Sequence, residues 1–526
     1  MRNQPISPNC PSTLHLASLI MGIYSLVSCI GVGTSAHAQK PPAKLPNIVV
    51  IMADDLGYGD VGCYGGTGVA TPAIDDLAER GLRFTQAYCS AGTCTPTRFS
   101  LLTGVYAFRV PGSGIAPPNS PALIPAGTPT IASVLKQAGY HTGIIGKWHL
   151  GLGAKPAGPD WNGKLSPGPL EIGFDDALIL PTTNDRVPPV LVRNHHVENL
   201  DPNDPLWVGS QRPTPEHHDA RSHPESLRMT TVSSHLGTIH NGLGRIGYFT
   251  GGKTALFRDE DLADRWASES NRWLHEHAND PFFLLVTPHS LHAPRIVNER
   301  FQGTTKLGPR GDAIAELDWT VGKVVQTLDD LNLIEQTLIV FCSDNGPVLI
   351  DDYQDRADEL LGDHDPNGVF RGGKYNVYEG ATRTPFIVSM PGTIPVGESG
   401  KMVCTIDLAA SFAAWVGAKI PDGALRDSID VMPSLLGKTE ATGRTELVQQ
   451  DNGWGSFGYR KGQWKLVRCD SGAMLNSELK MKKKQIPKYA LYHLESDPGE
   501  TENVQADNQE RANQMKKELQ QIIDAG

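Results

Sequence analysis

The chain has 526 residues, 39% of them hydrophobic, enough to bury a large core and to build one large α/β domain with a smaller companion. Its formal charge of -11 excludes a general affinity for phosphate backbones, which needs clustered Lys and Arg, so no nucleic acid is expected as a partner. Eight cysteines over this length exclude a disulfide scaffold, so the core must carry the fold.

The first element is an apolar run over residues 14–33, preceded by Arg2 and leading into Ala36-His37-Ala38, a small-x-small site of the kind signal peptidase cuts. Segment 1–38 is therefore read as a signal peptide that is removed, and the protein as exported, periplasmic or secreted. The run approaches the ~20 residues that span a bilayer. Nothing basic directly flanks its far end as a stop-transfer signal would, so no stable membrane span is expected. Leu26-Val27-Ser28-Cys29 resembles a bacterial lipobox, and a lipid anchor at Cys29 is the alternative. The one lysine run, Lys482-Lys483-Lys484, reads as a solvated face.

From Pro46 onward short apolar runs alternate with helix-like stretches and Gly/Pro-rich loops, the pattern of parallel strands joined by crossover helices. Strands are predicted over 48–52, 142–145, 282–286, 338–342 and 386–390, and helices over 74–80, 131–137, 262–277 and 313–330. The expected fold class is α/β, with a central mixed and largely parallel sheet between helices. Residues 156–257 are rich in Pro, Gly, His and Asn, and so long a stretch inside a compact domain is read as a substrate-shaping insertion. After residue 399 the elements shorten, with pieces at 462–467 and 490–494 and a polar helix over 508–523. This divides the mature chain into a domain over 46–398 and a C-terminal subdomain over 399–526.

Two of the predicted strands end in oxygen-bearing pairs. The first runs into Asp54-Asp55, and the strand at 338–342 runs into Ser343-Asp344-Asn345-Gly346. In open α/β sheets ligands sit beyond the carboxyl ends of strands, so two such ends can converge on one point. Three carboxylates and an amide suit a hard divalent cation, Ca²⁺ or Mg²⁺, better than zinc. Either pair alone is ordinary turn or cap chemistry.

Cys94-Thr95-Pro96-Thr97-Arg98, followed by Phe99-Ser100-Leu101-Leu102-Thr103-Gly104, reads as a loop entering a short helix. A helix N-terminus favours anions, and Arg98 lies one turn from Cys94. The Cys-x-Pro-x-Arg pentapeptide with its Leu-x-Thr-Gly sequel resembles the signature of type I sulfatases, in which the cysteine is oxidised to formylglycine. The resemblance extends through Gly146-Lys147-Trp148-His149, Leu291-His292-Ala293-Pro294, the Asp344-Asn345-Gly346 stretch, Gly372-Gly373-Lys374 and the tail from Leu491 to Glu500. It implies an alkaline-phosphatase-like α/β domain and a small C-terminal subdomain built on a short antiparallel sheet. It also implies one Ca²⁺ held by Asp54, Asp55, Asp344 and Asn345 with the modified Cys94. On this reading the hydrated aldehyde at position 94 attacks sulfur, with Asp344 assisting its deprotonation, and His149 takes the proton that releases sulfate. Arg98 and Lys147 hold the modified residue and the sulfate oxygens, while His292 and Lys374 serve the leaving oxygen. A formylglycine-generating or anaerobic sulfatase-maturing enzyme is the implied partner.

Pro181 to Pro188, Leu200 to Pro205 and Ser222 to Glu225 resemble a subgroup of bacterial carbohydrate sulfatases acting on 6-O-sulfated galactose or N-acetylgalactosamine. Asp185, Arg186 and His235 are the sugar contacts expected from this insertion. An Asp185-Arg186 structural ion pair is the equal alternative, since such pairs are common and carry little energy. Two other functions remain open at this point. One is a phosphoester or phosphonate hydrolase on the same fold, and the other is a non-catalytic binder of sulfated glycans.

Overall fold

The apolar run at 48–52 forms the middle of strand β1 (Asn47–Ala53), which is buried end to end. A strand covered on both faces sends alternate side chains into two cores. Ile48, Val50 and Met52 enter one core, and Val49, Ile51 and Ala53 the other. The computed structural model describes residues 45–452, 455–470 and 486–525, all within the unit that spans 39–526. The expected signal segment 1–38 with Cys29, and the lysine run 482–484, lie outside the described residues. Among the described residues no helix is long and apolar enough to cross a membrane.

Strands β2 (Gly81–Tyr88), β3 (His141–Lys147), β4 (Asp176–Leu180), β5 (Val192–Arg193) and β6 (His196–Val197) follow β1. The insertion carries the short strands β7 (Trp207–Gly209), β8 (Ile239–His240), β9 (Leu243–Gly244) and β10 (Tyr248–Thr250). Strands β11 (Phe282–Thr287), β12 (Thr337–Ser343), β13 (Phe386–Ser389) and β14 (Gly397–Cys404) complete the central sheet. Its order is β14-β2-β13-β12-β1-β11-β3-β4-β5-β6. The inner strands β12, β1, β11, β3 and β4 are parallel, and β13, β5 and β6 run against their neighbours. The sheet is mixed and largely parallel, as expected. Four of the five predicted strands fall inside observed ones, and the fifth, 386–390, runs one residue past the end of β13 at Ser389.

Helices cover both faces. On one side α2 (Cys94–Thr103), α3 (Ile131–Gln137) and α7 (Leu408–Val416) supply Phe99, Leu135 and Phe412 to the first core. On the other, α1 (Pro72–Glu79), α4 (Leu262–Glu276) and α5 (Gly308–Asp330) supply Ile74, Trp266 and Leu317 to the second. Each fully buried aliphatic or Phe side chain stabilises the fold by roughly 1.5–3 kcal/mol. These two layers hold β1 and β12 in register, Ala53 opposite Ser343, so the residues that follow them emerge side by side.

The C-terminal sheet is an antiparallel meander, β15 (Glu446–Gln450), β16 (Phe457–Lys461), β17 (Trp464–Arg468) and β18 (Tyr489–His493). The short helices α6 (Glu379–Thr382) and α8 (Met432–Leu435) precede it, and the amphipathic α9 (Gln509–Asp524) packs Ala512, Met515 and Leu519 with Leu447, Tyr459 and Leu491. Buried Lys465 ties this sheet to the rest through Glu379 at 2.9 Å and Glu500 at 3.2 Å. Strand β14 crosses the expected boundary at 398/399 and pairs parallel to β2.

Candidate active site

The two acidic strand ends meet. The Asp344 amide donates to the Ala53 carbonyl at 3.1 Å, the Asp55 amide lies 3.3 Å from Asp344 Oδ1, and Asn345 Nδ2 donates to Asp55 Oδ1 at 2.7 Å. Gly346 is required here, because a Cβ on it would lie 1.8 Å from the Gly380 carbonyl oxygen. Oxygens of Asp54, Asp55 and Asp344 lie within 4.8 Å of one another, all on buried side chains. Asp54 Oδ1 and Asn345 Oδ1 are buried without a hydrogen-bond partner. Buried acceptors left unmet cost about 1–3 kcal/mol each, more when charged. Burial and the neighbouring Asp344 carboxylate push Asp54 up to about 7, against the pull of Lys147. Crowded anionic oxygens with orphaned acceptors fit a hard divalent cation.

Basic groups flank this cradle. Lys147, at the end of β3, is paired with Asp54 Oδ2 and is 1% exposed. Arg98 donates from Nε to Asp344 Oδ2 at 2.9 Å and from Nη1 to the Lys147 carbonyl at 2.9 Å. Its Nη2 sits 2.8 Å from the same Asp344 oxygen but outside hydrogen-bonding alignment, so that donor is left for another acceptor. Lys374 donates to Asp55 Oδ2 at 2.8 Å and to Asp351 Oδ2 at 3.3 Å. Although burial opposes it, the Asp351 and Asp55 carboxylates hold the Lys374 ammonium well above its ordinary range.

Cys94 opens α2 with Thr93 as its N-cap residue, so its side chain stands at the positive end of a ten-residue helix. Burial pushes its thiol up, against the nearby Lys147 and Lys374. Its Sγ lies 3.2 Å from His149 Nδ1, and His149 Nε2 lies 3.0 Å from the Ala116 carbonyl oxygen. A carbonyl only accepts, so Nε2 carries the proton and Nδ1 turns a lone pair toward Cys94. Burial, with Arg186 and Lys147, holds His149 well below its ordinary range and therefore neutral. His149, Asp55 and Tyr375 have φ of 55°, 58° and 80°. Left-handed backbone at non-glycine residues costs about 1–3 kcal/mol each and gathers where the surroundings enforce it.

His292 is brought in by the segment after β11, where the Leu291 amide donates to the Asp54 carbonyl at 2.6 Å. Its Nδ1 lies 2.7 Å from the Ala293 carbonyl oxygen and so carries the proton, and a ring nitrogen of His292 groups with oxygens of Asp55 and Asp351 within 4.8 Å. Burial and the cations Lys374 and Lys147 hold it well below its ordinary range. The insertion reaches this segment, where Asn184 Nδ2 donates to the Pro294 carbonyl at 3.0 Å. Asp185 accepts from Arg186 Nη1 at 2.8 and 3.0 Å, and Asp185 Oδ2 lies 3.0 Å from His235 Nε2. Cys94, Arg98, Lys147, His149, His292 and Lys374 thus surround the acidic cradle, with Asp185, Arg186 and His235 grouped beside it.

The sequence pattern described as Sulfatase matches residues 46–418, and one described as N-sulphoglucosamine sulphohydrolase, C-terminal, matches residues 368–525. The chain belongs to the sulfatase family. An N-acetylgalactosamine-6-O-sulfatase of Bacteroides thetaiotaomicron is 42% identical over 508 residues, covering 97% of this chain and 98% of that one. Human arylsulfatase A is 31% identical over 483 residues, covering 88% of this chain and 84% of that one. A solved Bacteroides thetaiotaomicron structure, described under the metabolism of multiple glycosaminoglycans, matches with a TM-score of 0.88 at 43% identity, covering 91% of this chain and all 100% of that one. This sulfatase is therefore an enzyme that hydrolyses sulfate esters, on the alkaline-phosphatase-like fold of its family.

The sequence did not point to Asp351 and Tyr375, although Tyr375 Oη donates to Asp351 Oδ1 at 2.8 Å directly beside Lys374. The acidic pair Asp351-Asp352 was the available signal, and in a loop it reads as turn chemistry. His289, left without a role by the sequence, accepts from Trp266 Nε1 at 3.2 Å at its Nδ1 and is held down to about 4 by burial. That is a core histidine.

Proposed function

We propose that this sulfatase removes 6-O-sulfate from galactose or N-acetylgalactosamine units of sulfated glycans, with Cys94, oxidised to formylglycine, as the nucleophile and Asp54, Asp55, Asp344 and Asn345 as Ca²⁺ ligands. The observation that carries this reading is the buried Cys94 side chain, which stands at the α2 N-terminus with the lone pair of neutral His149 3.2 Å away. Oxidised to formylglycine and hydrated, position 94 would supply one hydroxyl for attack on sulfur and a second whose proton is lost as sulfate leaves. Calcium held by Asp54, Asp55, Asp344 and Asn345 would offset the charge of the acidic cradle and supply positive charge to the sulfate oxygens.

The chain's own residues do the rest. His149 takes a proton at Nδ1, because the Ala116 carbonyl fixes the proton on Nε2. Arg98, anchored on Asp344, and Lys147, anchored on Asp54, present fixed positive charge to the sulfate oxygens. Lys374, kept cationic by Asp351 and Asp55, donates toward the leaving oxygen. A bound sulfate ester brings negative charge to His292 and favours its protonated form, which completes the leaving group. Asp185, Arg186 and His235 contact the sugar hydroxyls.

The relative's name supports the 6-O assignment, at 42% identity over nearly the whole of both chains. Maturation by a formylglycine-generating or anaerobic sulfatase-maturing enzyme and export through segment 1–38 complete the proposal. So does the division into a catalytic domain over 46–398 and a C-terminal subdomain over 399–526. Rates on 6-O-sulfated and 4-O-sulfated N-acetylgalactosamine and galactose test the specificity, and equal rates on both positions overturn it. Mass spectrometry of the Cys94 peptide from the native host tests the nucleophile, and unmodified thiol throughout overturns it.

A further inference from the structure

The residue after Asp351 is placed as a support for the sugar side of the site. Asp352 accepts from the backbone amides of Ser233 at 2.7 Å, Ser234 at 2.9 Å and His235 at 3.0 Å, and from that of Val232 at 3.3 Å. It also accepts from the hydroxyls of Ser233 at 2.9 Å and Ser234 at 3.1 Å. Its Oδ2 lies 2.8 Å from His235 Nδ1. One carboxylate therefore folds the whole 232–235 turn around itself, as a nest of amides folds around a bound anion. The pairing continues on either side, with Thr231 bridged to Tyr353 and the Gln354 amide donating to the Thr230 carbonyl at 2.9 Å. The Tyr353 ring lies 4.3 Å from the His235 ring.

We infer that Asp352 is a positioning residue for sugar recognition, acting through His235. This rests on the assignment of His235 as a sugar contact. An ionised carboxylate only accepts, so Nδ1 of His235 donates to Asp352 and Nε2 donates to Asp185, and the two carboxylates together hold the ring as a cation on the sugar side. Although burial works against ionisation, the hydrogen bonds from the His235 side chain and from the amides of His235 and Ser234 hold the Asp352 carboxyl well below its usual range. Without Asp352 the ring keeps its Asp185 bond and its contact with Tyr353, but the turn that carries it loses its shared acceptor. Asp351 meanwhile holds Lys374 and Tyr375, so two adjacent carboxylates join the insertion to the leaving-group side of the site.

The test is a double-mutant cycle on 6-O-sulfated N-acetylgalactosamine with the parent, Asp352→Ala, His235→Ala and the double variant, alongside each variant's melting temperature. Both single variants are expected to lower kcat/KM about tenfold or more, chiefly through KM, and the double variant to be no worse than His235→Ala. Asp352→Asn, which keeps one acceptor oxygen, is expected to recover part of the loss, and it replaces Asp352→Ala in the cycle if the latter does not fold. Additive losses, or an unchanged kcat/KM in the Asp352 variants, overturn the inference. An unchanged kcat/KM in His235→Ala instead overturns the sugar-contact assignment beneath it.

Discussion

Glu316 carries a prediction whose magnitude follows from its surroundings. It lies on α5, is 2% exposed, and accepts from the Asn298 amide at 2.8 Å. Burial raises its carboxyl from the ordinary 4.5 to about 7, with the Asn298 amide and Arg300 pulling the other way. A raised folded-state value means that the protonated form belongs to the fold. Well below pH ~4.5 the group is protonated in both states and costs nothing. As pH rises toward 7 the unfolded chain ionises while the folded one resists, and stability is lost. The full loss is about 3.4 kcal/mol at 1.36 kcal/mol for each pH unit between the two values. About 2.5 kcal/mol of it falls between pH 5 and pH 8. Gln at this position keeps the acceptor for Asn298 and cannot ionise. Glu316→Gln is therefore expected to match the parent near pH 5 and to melt about 2 to 3 °C higher at pH 8, at roughly 2.1 cal/mol/K of unfolding entropy per residue. Thermal melts of both proteins across this range decide the matter. Parallel curves would refute the claim that Glu316 is buried without compensation.

Chelation of divalent cations is expected to lower the melting temperature of the parent and not that of an Asp54→Asn/Asp344→Asn double variant, because ligand binding stabilises only a fold that retains the site. Thermal melts with and without a calcium chelator read this directly. Arg98→Lys removes the anchoring fork on Asp344 and the Lys147 carbonyl, and should cut kcat by about 100-fold or more on a sulfated monosaccharide while leaving KM closer to parent. Lys465→Met leaves Glu379 and Glu500 facing each other in the interior, and should destabilise the chain by about 3–5 kcal/mol. Denaturant titration followed by Trp fluorescence measures that loss.

The central strands and the chemistry at their ends were legible in the amino-acid order. Ile48 to Met52 and the run at 338–342 are continuous apolar stretches because both faces of those strands are covered. The acidic pairs that follow them are local in sequence, as is the Cys94 to Arg98 turn of helix. Strand β2 was not legible, since Gly81–Tyr88 mixes Arg83, Thr85 and Gln86 with its apolar residues and becomes a strand by pairing with β13 and β14. Only the tertiary structure set Ala53 opposite Ser343 and so brought four ligand candidates, 290 residues apart at the widest hydrogen bond, to one point. The family resemblance already points to His149, but the Ala116 carbonyl that sets its tautomer and the Trp266 indole that makes His289 a core residue are not sequence neighbours and come only with folding. The support of His235 by Asp352 spans 117 residues and has no local signature, for a carboxylate finds its amides by folding and not by spacing.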